Sequence, residues 1–404
     1  MKYIFCSRAK LLRIFAILTL STCHLLPAFG AEKGVTPHTY NTLKKVEQFQ
    51  NTGKYQQAIH TLQQLANKSN DNGYDKIVIL QYLAYAYNTA GKPELAGNTA
   101  RKALAKIKDL PKVKQSLLYL LAQTSFETEA FEQGVVYIQD WLKDASEPTA
   151  EGLFLAGYGN FRLKRYQSAE RYLKQAIAAR ENAPISWYQT LLAIFVEQKR
   201  YRAAVPIAER LIARKPSDEN LWQTLSSLYY QQNDNEKALA SLILAKYTAE
   251  PSPERIRQIV GLSVSLGMPN HAARIFSDSL EKGRLPKSYD NLKLLYQCWS
   301  LARETDKAEK VLSQAAKLAA NGEDYLLLGR LHFEQRDWKK AQLALNKALR
   351  KGRLKHAKQA KLLLGICACH TGETIKAKKY LEGLLSDPEY KKVAAYWLSN
   401  LENS

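Results

Sequence analysis

Apolar residues recur along this chain at helical spacing, in pairs of short runs separated by polar turns. The pattern is clearest between Trp222 and Ala245, where Trp222, Leu225, Ser226 and Tyr229 fall at i, i+3, i+4 and i+7. After the polar Asn233-Asp234-Asn235, the residues Ala238, Leu242 and Ala245 resume the spacing. Such a stretch predicts two amphipathic helices joined by a tight turn. One hairpin of this kind cannot bury both of its apolar stripes. The figure returns, marked by an alanine near the start of each second helix: Ala58, Ala96, Ala169, Ala204, Ala238, Ala272, Ala308, Ala341 and Ala377, with Gly134 between Ala96 and Ala169. Successive steps are 38, 38, 35, 35, 34, 34, 36, 33 and 36 residues. Strand-type alternation runs for no useful length, so the expected fold is all-α.

A period near 34 residues, with W/L…L-G/A…Y in the first helix and A…L…A in the second, is similar to the tetratricopeptide (TPR) repeat family. The resemblance implies a right-handed superhelical solenoid of about ten helix–turn–helix repeats. Repeats one to six are expected over residues 31–246, a proline-containing bend over 247–254, and repeats seven to ten over 255–388. A capping helix and tail follow over 389–404, where Val393, Tyr396, Trp397 and Leu401 should cover the last repeat. Gly157, Gly329 and Gly365 share one slot in the middle of the first helices, filled elsewhere by Ala84, Ala122 and Ser226. Glycine inside a helix costs up to ~1 kcal/mol relative to alanine. The slot should therefore lie where paired helices press together. Leu192, Val260 and Tyr296 fill it in repeats five, seven and eight, whose helix pairs are expected to stand further apart.

The N-terminus carries a different signal. Lys2, Arg8, Lys10 and Arg13 accompany no acidic residue in the first thirty, and an apolar run follows from Ile14 to Leu26. Thirteen residues rising about 1.5 Å each are too short to cross a bilayer. Ala28-Phe29-Gly30 offers small residues at −3 and −1 of a cleavage site. Residues 1–30 therefore read as a cleavable signal peptide, and the protein as exported to the periplasm. The alternatives are an uncleaved signal anchor, or lipidation of Cys23 within Leu20-Ser21-Thr22-Cys23. Removing the leader takes four basic and no acidic residues, leaving 55 basic against 38 acidic, or +17. In an exported protein that excess argues against nucleic acid. It points to an acidic protein surface, a cell-wall polymer or anionic lipid, with peripheral membrane contact among the possibilities.

Candidate chemistry is sparse. The chain has no Gly-rich phosphate loop, nucleophile elbow or His-Glu-x-x-His helix, and its seven histidines are scattered. No catalytic residue, cofactor or metal is expected. Cys367 and His370 share a helix face, but two ligands do not make a tetrahedral zinc site. Cys367 and Cys369 point about 200° apart round a helix and cannot bond each other. With Cys298 they read as reduced core cysteines.

What remains is surface. In the repeat architecture, first-helix side chains at offsets 2, 5, 9 and 12 of each repeat are expected to line a concave groove. In the early repeats they hold Gln81, Tyr85 and Asn88, then Tyr119, Gln123 and Phe126, then Phe154, Tyr158 and Phe161. Later repeats place Gln223, Ser227 and Tyr230, then Arg257, Lys293 and Gln297 there. Amides interleaved with aromatics suit an extended peptide, whose backbone the amides bond and whose side chains the rings stack on. Trp222–Ala245, Tyr325–Ala348, Lys351–Leu354, Gln359–Gly365 and Ala395-Tyr396-Trp397-Leu398 resemble a narrower group. These are the exported repeat proteins encoded beside TonB, ExbB and ExbD in gamma-proteobacteria, and the resemblance covers roughly residues 185–400. It implies a non-enzymatic periplasmic scaffold with envelope proteins as partners, TonB, ExbB or ExbD among them. The alternative reading is a basic envelope adaptor acting on cell-wall polymer or anionic lipid, of the kind that assists lipoprotein-type assembly.

Overall fold

A computed structural model describes residues 34–70, 73–245 and 250–402. The expected leader, its cleavage at Gly30 and lipidation at Cys23 lie outside the described residues, as do Tyr247–Ala249 of the expected bend. The chain divides into two compact units, Met1–Gln232 and Asn233–Ser404.

The described part of the first unit holds α1 (Pro37–Asn51), α2 (Tyr55–Lys68), α3 (Tyr74–Thr89), α4 (Pro93–Leu104), α5 (Pro111–Glu127) and α6 (Phe131–Asp144). It continues with α7 (Ala150–Arg162), α8 (Tyr166–Ala178), α9 (Ile185–Glu197), α10 (Tyr201–Arg214) and α11 (Glu219–Tyr230). The second unit begins with α12 (Asn235–Leu244), α13 (Pro253–Ser265), α14 (Pro269–Glu281), α15 (Tyr289–Leu301) and α16 (Thr305–Leu318). It ends with α17 (Glu323–Glu334), α18 (Trp338–Lys351), α19 (Ala357–His370), α20 (Thr374–Glu382) and α21 (Lys391–Glu402). Every described residue in regular structure is helical.

Local chemistry sets the helix ends. Thr149, Ser252 and Ser288 accept the N–H of the third residue on, and Pro37, Pro93, Pro111, Pro253 and Pro269 supply the fixed φ that suits a first turn. Each turn between a first and a second helix contains one residue in the left-handed region. Glycine takes it at 53, 91, 267 and 372, whereas Glu129, Lys164, Lys199, Asn233, Arg303 and Arg336 take it elsewhere. The residue after it typically donates its N–H five positions back, as Arg200 does to Phe195 at 2.8 Å and Asp337 to His332 at 2.9 Å. This is the Schellman closure. Within each unit it restarts the chain in the same direction, so the ladder alanines of that unit land at one depth. The nine ladder alanines are all buried.

First and second helices differ in how they are covered. Second helices bury one stripe, as α18 does with Ala341, Ala344, Leu345 and Ala348. The first helices α3, α5, α7 and α9 are covered on most of their circumference, and α9 buries nine of its thirteen residues. A helix between two layers of neighbours needs apolar residues on most of its circumference.

The glycine slot behaves as the helix cost implied. A Cβ on Gly157 would stand 2.7 Å from Leu173 Cγ, one on Gly329 2.5 Å from Leu345 Cδ2, and one on Gly365 2.7 Å from Leu381 Cδ2. Each of these leucines follows a ladder alanine by four residues. Where Leu192 and Val260 fill the slot, α9 with α10 and α13 with α14 pack less closely than the glycine-bearing pair α7 and α8. Tyr296 departs from the expectation. Its helix α15 stays close to α16 because the ring is only half-buried, with Lys293 Nζ 5.1 Å from its centroid.

The capping helix covers the last repeat through a different register. Ala394, Trp397, Leu398 and Leu401 face Leu362, Ile366, Leu381 and Leu384, whereas Val393 and Tyr396 are exposed. The expectation for Val393 and Tyr396 is thus corrected by one residue, or about 100° of helix.

Two interior glycines with opposite surroundings test this packing. A Cβ on Gly159 would meet the buried Phe126 ring at 2.5 Å and Val135 at 2.8 Å, while one on Gly261 meets nothing within 4 Å. Gly159→Ala is expected to lower stability by about 1–3 kcal/mol, through overpacking. Gly261→Ala should raise it by up to ~1 kcal/mol, through helix propensity. Urea midpoints followed by circular dichroism measure both.

Candidate interaction surface

The fifteen residues expected to line a groove do not share one environment. Gln81, Gln123, Phe126, Phe154 and Tyr158 are buried. Tyr85, Asn88, Tyr119, Phe161, Gln223 and Lys293 are half-buried, and Ser227, Tyr230, Arg257 and Gln297 are exposed.

The buried aromatics belong to a ladder through the first unit. Phe126 meets Tyr158 edge-on with centroids 6.2 Å apart, Tyr158 lies 6.2 Å from Phe154, and Phe154 stacks on Trp187 at 5.0 Å. Phe126, Phe154 and Tyr158 are therefore core residues, not groove lining, and the sequence-based placement is corrected there. The reason is steric. Gly134, which breaks the alanine ladder, and Gly159 stand on either side of Phe126, and a Cβ on either would come within 2.5 Å of its ring. The helix α7 reads AEGLFLAGYGNFR, and its glycines meet three different partners: Gly152 meets Trp141, Gly157 meets Leu173 and Gly159 meets Phe126. With these approaches α3, α5, α7 and α9 pack directly side by side.

The remaining early positions serve the same closure. The Tyr85 hydroxyl donates to Ser116 O at 3.1 Å, bridging α3 to α5. Tyr119 lies 5.4 Å from Trp141, and burial, helped by the nearby Glu151 charge, pushes its phenol pKa up. Burial likewise raises the Glu127 carboxyl.

The position after the slot, closed at Gln123, Tyr158 and Ile366, is exposed at Ser227 on α11 and, in the second unit, at Gly261 on α13, Gln297 on α15 and Arg330 on α17. Gly261 and Arg330 were not among the expected lining residues. They follow from the slot register, since Val260 and Gly329 occupy the slot itself. Beside them sit Arg257, 3.7 Å from Glu254, and Lys293, whose ammonium lies 2.5 Å from the buried Asp324 carboxylate. The Tyr289 phenol beside Asp324 has a raised pKa, from desolvation first and then from that carboxylate. The stripe offers amide and guanidinium donors over an open backbone.

The Cys367–His370 pair is committed elsewhere. The His370 ring stacks on Trp338 at 4.1 Å and meets Trp397 edge-on at 5.2 Å. Cys367 is fully buried, and no group of three or more His, Cys, Asp or Glu among the described residues is placed to hold a metal. Cys298, Cys367 and Cys369 are free thiols.

Residues 326–389 match the family described as Tetratricopeptide repeat. The chain is an all-α solenoid of tetratricopeptide repeats. Residues 168–250 of the solenoid match ChAPs (Chs5p-Arf1p-binding proteins). Over 161 residues it is 28% identical to Lipopolysaccharide assembly protein B of Haemophilus influenzae, a match that spans 39% of this chain and 40% of that protein. Among solved structures, a tetratricopeptide repeat protein from Parabacteroides merdae aligns at 17% identity and a TM-score of 0.41, over 65% of this chain and 98% of that one. Naa15/Naa10 bound to HypK-THB aligns at 13% identity and 0.46, over 89% and 66%.

Thiol chemistry tests the burial described. Desolvation pushes the Cys367 thiol up to about 12 and raises Cys298 as well. A raised thiol pKa means less thiolate, about one part in 10⁴ for Cys367 at pH 8, and the thiolate is the reactive form. Maleimide labelling at pH 8 followed by peptide mapping should modify Cys298 and Cys367 only after denaturation, with Cys369 modified first.

Proposed function

We propose that the protein is a non-enzymatic scaffold of the cell envelope that holds an extended segment of a partner protein. The observation that carries this reading is the open inner stripe of the second unit, with Gly261, Gln297 and Arg330 exposed at one repeat position. An extended or proline-rich segment has no internal hydrogen bonds and presents bare carbonyls. Gln297 and Arg330 supply donors to such carbonyls, and the absent side chain at Gly261 lets the segment approach the helix closely.

Export to the periplasm is supported by the basic and apolar character of residues 1–30. The resemblance over residues 185–400 supports a place beside a TonB-type energy-transduction system, with a segment of TonB as the bound chain and ExbB and ExbD as neighbours. The likeness to a lipopolysaccharide assembly protein supports an envelope setting in coarser terms.

A photoreactive residue at Gln297, activated in intact cells, tests this reading. Adducts with a TonB-system component are expected, and Arg330→Glu should reduce them about tenfold, equivalent to about 1.4 kcal/mol. Adducts confined to unrelated envelope proteins would remove the TonB assignment. Equal yields from Gln297 and from Lys339 on the second helix α18 would remove the inner stripe as the binding surface.

A further inference from the structure

The first unit carries a crevice on its outer row, between the second helices α2 and α4, with α3 as its floor. Its volume is about 1540 Å³, above the roughly 300–1,000 Å³ of common small-molecule pockets. The floor is apolar: Ile77, Leu80, Leu83 and Tyr87 each keep 6–8% of their surface open. Gln63 of α2 donates to the Tyr87 hydroxyl at 2.7 Å, which leaves that ring's polar edge satisfied. Leu95 on α4 extends the apolar surface to the lip, where it is 45% exposed.

The rim is cationic. Lys102 on α4, with Lys106 and Lys108 in the segment that follows, line one side, and Asp109 is the single carboxylate among the lining residues. Lys76 is occupied, since its ammonium donates to Ala66 O at 2.6 Å. Lys102, Lys106 and Lys108 form no ion pair among the described residues. A second crevice, between α8 and α10, has a similar plan, with Tyr188 and Leu191 beneath Lys174, Arg180 and Arg210. There Lys174 is paired with Glu170 and Arg180 with Glu151, and the volume is about 480 Å³. The larger crevice keeps its charge unspent.

From this juxtaposition we propose that the α2–α4 crevice binds one anionic lipid molecule, its acyl chain on the Ile77–Leu80–Leu83 floor and its phosphate on Lys102, Lys106 and Lys108. Each methylene buried on that floor tightens binding by about fourfold. The lysines add attraction that falls with ionic strength. Single-stranded nucleic acid fits less well, because its bases need ring faces to stack on and this floor is mainly aliphatic. The site lies in a different unit from the inner stripe and stands or falls independently of the partner-protein reading.

The test is calorimetric titration of the purified full chain with dodecyl phosphate below its micelle concentration. Dodecyl maltoside, inorganic phosphate, hexaglutamate and a thymidine 12-mer serve as comparisons. Saturable binding of dodecyl phosphate is expected, at least about tenfold tighter than any comparison ligand. Lys102→Gln/Lys106→Gln/Lys108→Gln and Leu95→Asp should each weaken it about tenfold with unchanged helicity, since all four residues stand at the surface. A control lacking Lys361, Lys378 and Lys379 should bind as the parent does. Inorganic phosphate binding as tightly as dodecyl phosphate would reduce the site to an anion subsite and overturn the proposal. Equal affinity for hexaglutamate or the 12-mer would overturn it in favour of a polyanion surface. Unweakened binding by the folded triple variant would overturn it as well.

Discussion

The contact on which each regular repeat depends is a leucine of the second helix seated against a small residue of the first. Leu173 on Gly157, Leu345 on Gly329 and Leu381 on Gly365 are the same event at three places. Its geometry leaves no room for a methyl group, so helix propensity is given up at the slot to let two backbones approach. That approach only recurs if the second helix restarts in one orientation each time. The left-handed turn residue enforces this, and six of the ten positions accept it without glycine. A non-glycine residue there carries a cost on the order of 1–2 kcal/mol. That such residues persist shows how much tertiary packing contributes to fixing the turn, beyond local preference.

This hierarchy explains what could be read from the sequence. The hairpins, their period and the buried alanine ladder were legible because one turn geometry fixes them all. The slot was legible because glycine inside a helix has few explanations other than close contact. The inner face was not. Periodicity places Phe126, Phe154 and Tyr158 at lining positions, but it does not report how far the next first helix lies. In α7, three glycines bring neighbours in from three sides, and the same positions become core. A signal for this was present in the break of the alanine ladder at Gly134, since a missing methyl implies that something else fills the space. The capping helix failed by one residue for a related reason. Ala394 is small and reads as neutral, yet it is the residue that lets α21 settle on Leu381 and Leu384.

Charge was legible in sum and illegible in place. An excess of basic residues says nothing about which ones are matched. In the second unit Lys293 is held by Asp324, and at the turns Arg165 meets Glu132 at 2.8 Å, linking successive hairpins. Exposed pairs of the latter kind contribute little to stability individually. They matter here because they remove cations from the inventory available to a ligand. Lys102, Lys106 and Lys108 are among the early-repeat cations left without an ion pair in the described residues, and these three are gathered at one lip.

Within the first unit, the closed inner face and the open outer crevices have a common cause. First helices α3, α5, α7 and α9 draw together around the aromatic ladder, and each must still pack against the second helices on either side of it. Space removed from the inner row is returned between members of the outer row, because side chains of fixed volume keep the two rows at a set distance. The steps of 38 residues in the early repeats add to this by lengthening the segments that join one hairpin to the next. The Ala105–Leu110 stretch is one of these. It lies along the α2–α4 crevice and carries two of its three unpaired lysines. An irregularity in period thus becomes a place where a ligand can be held. The same small-residue contacts that fix the stack therefore decide which of its faces stays available.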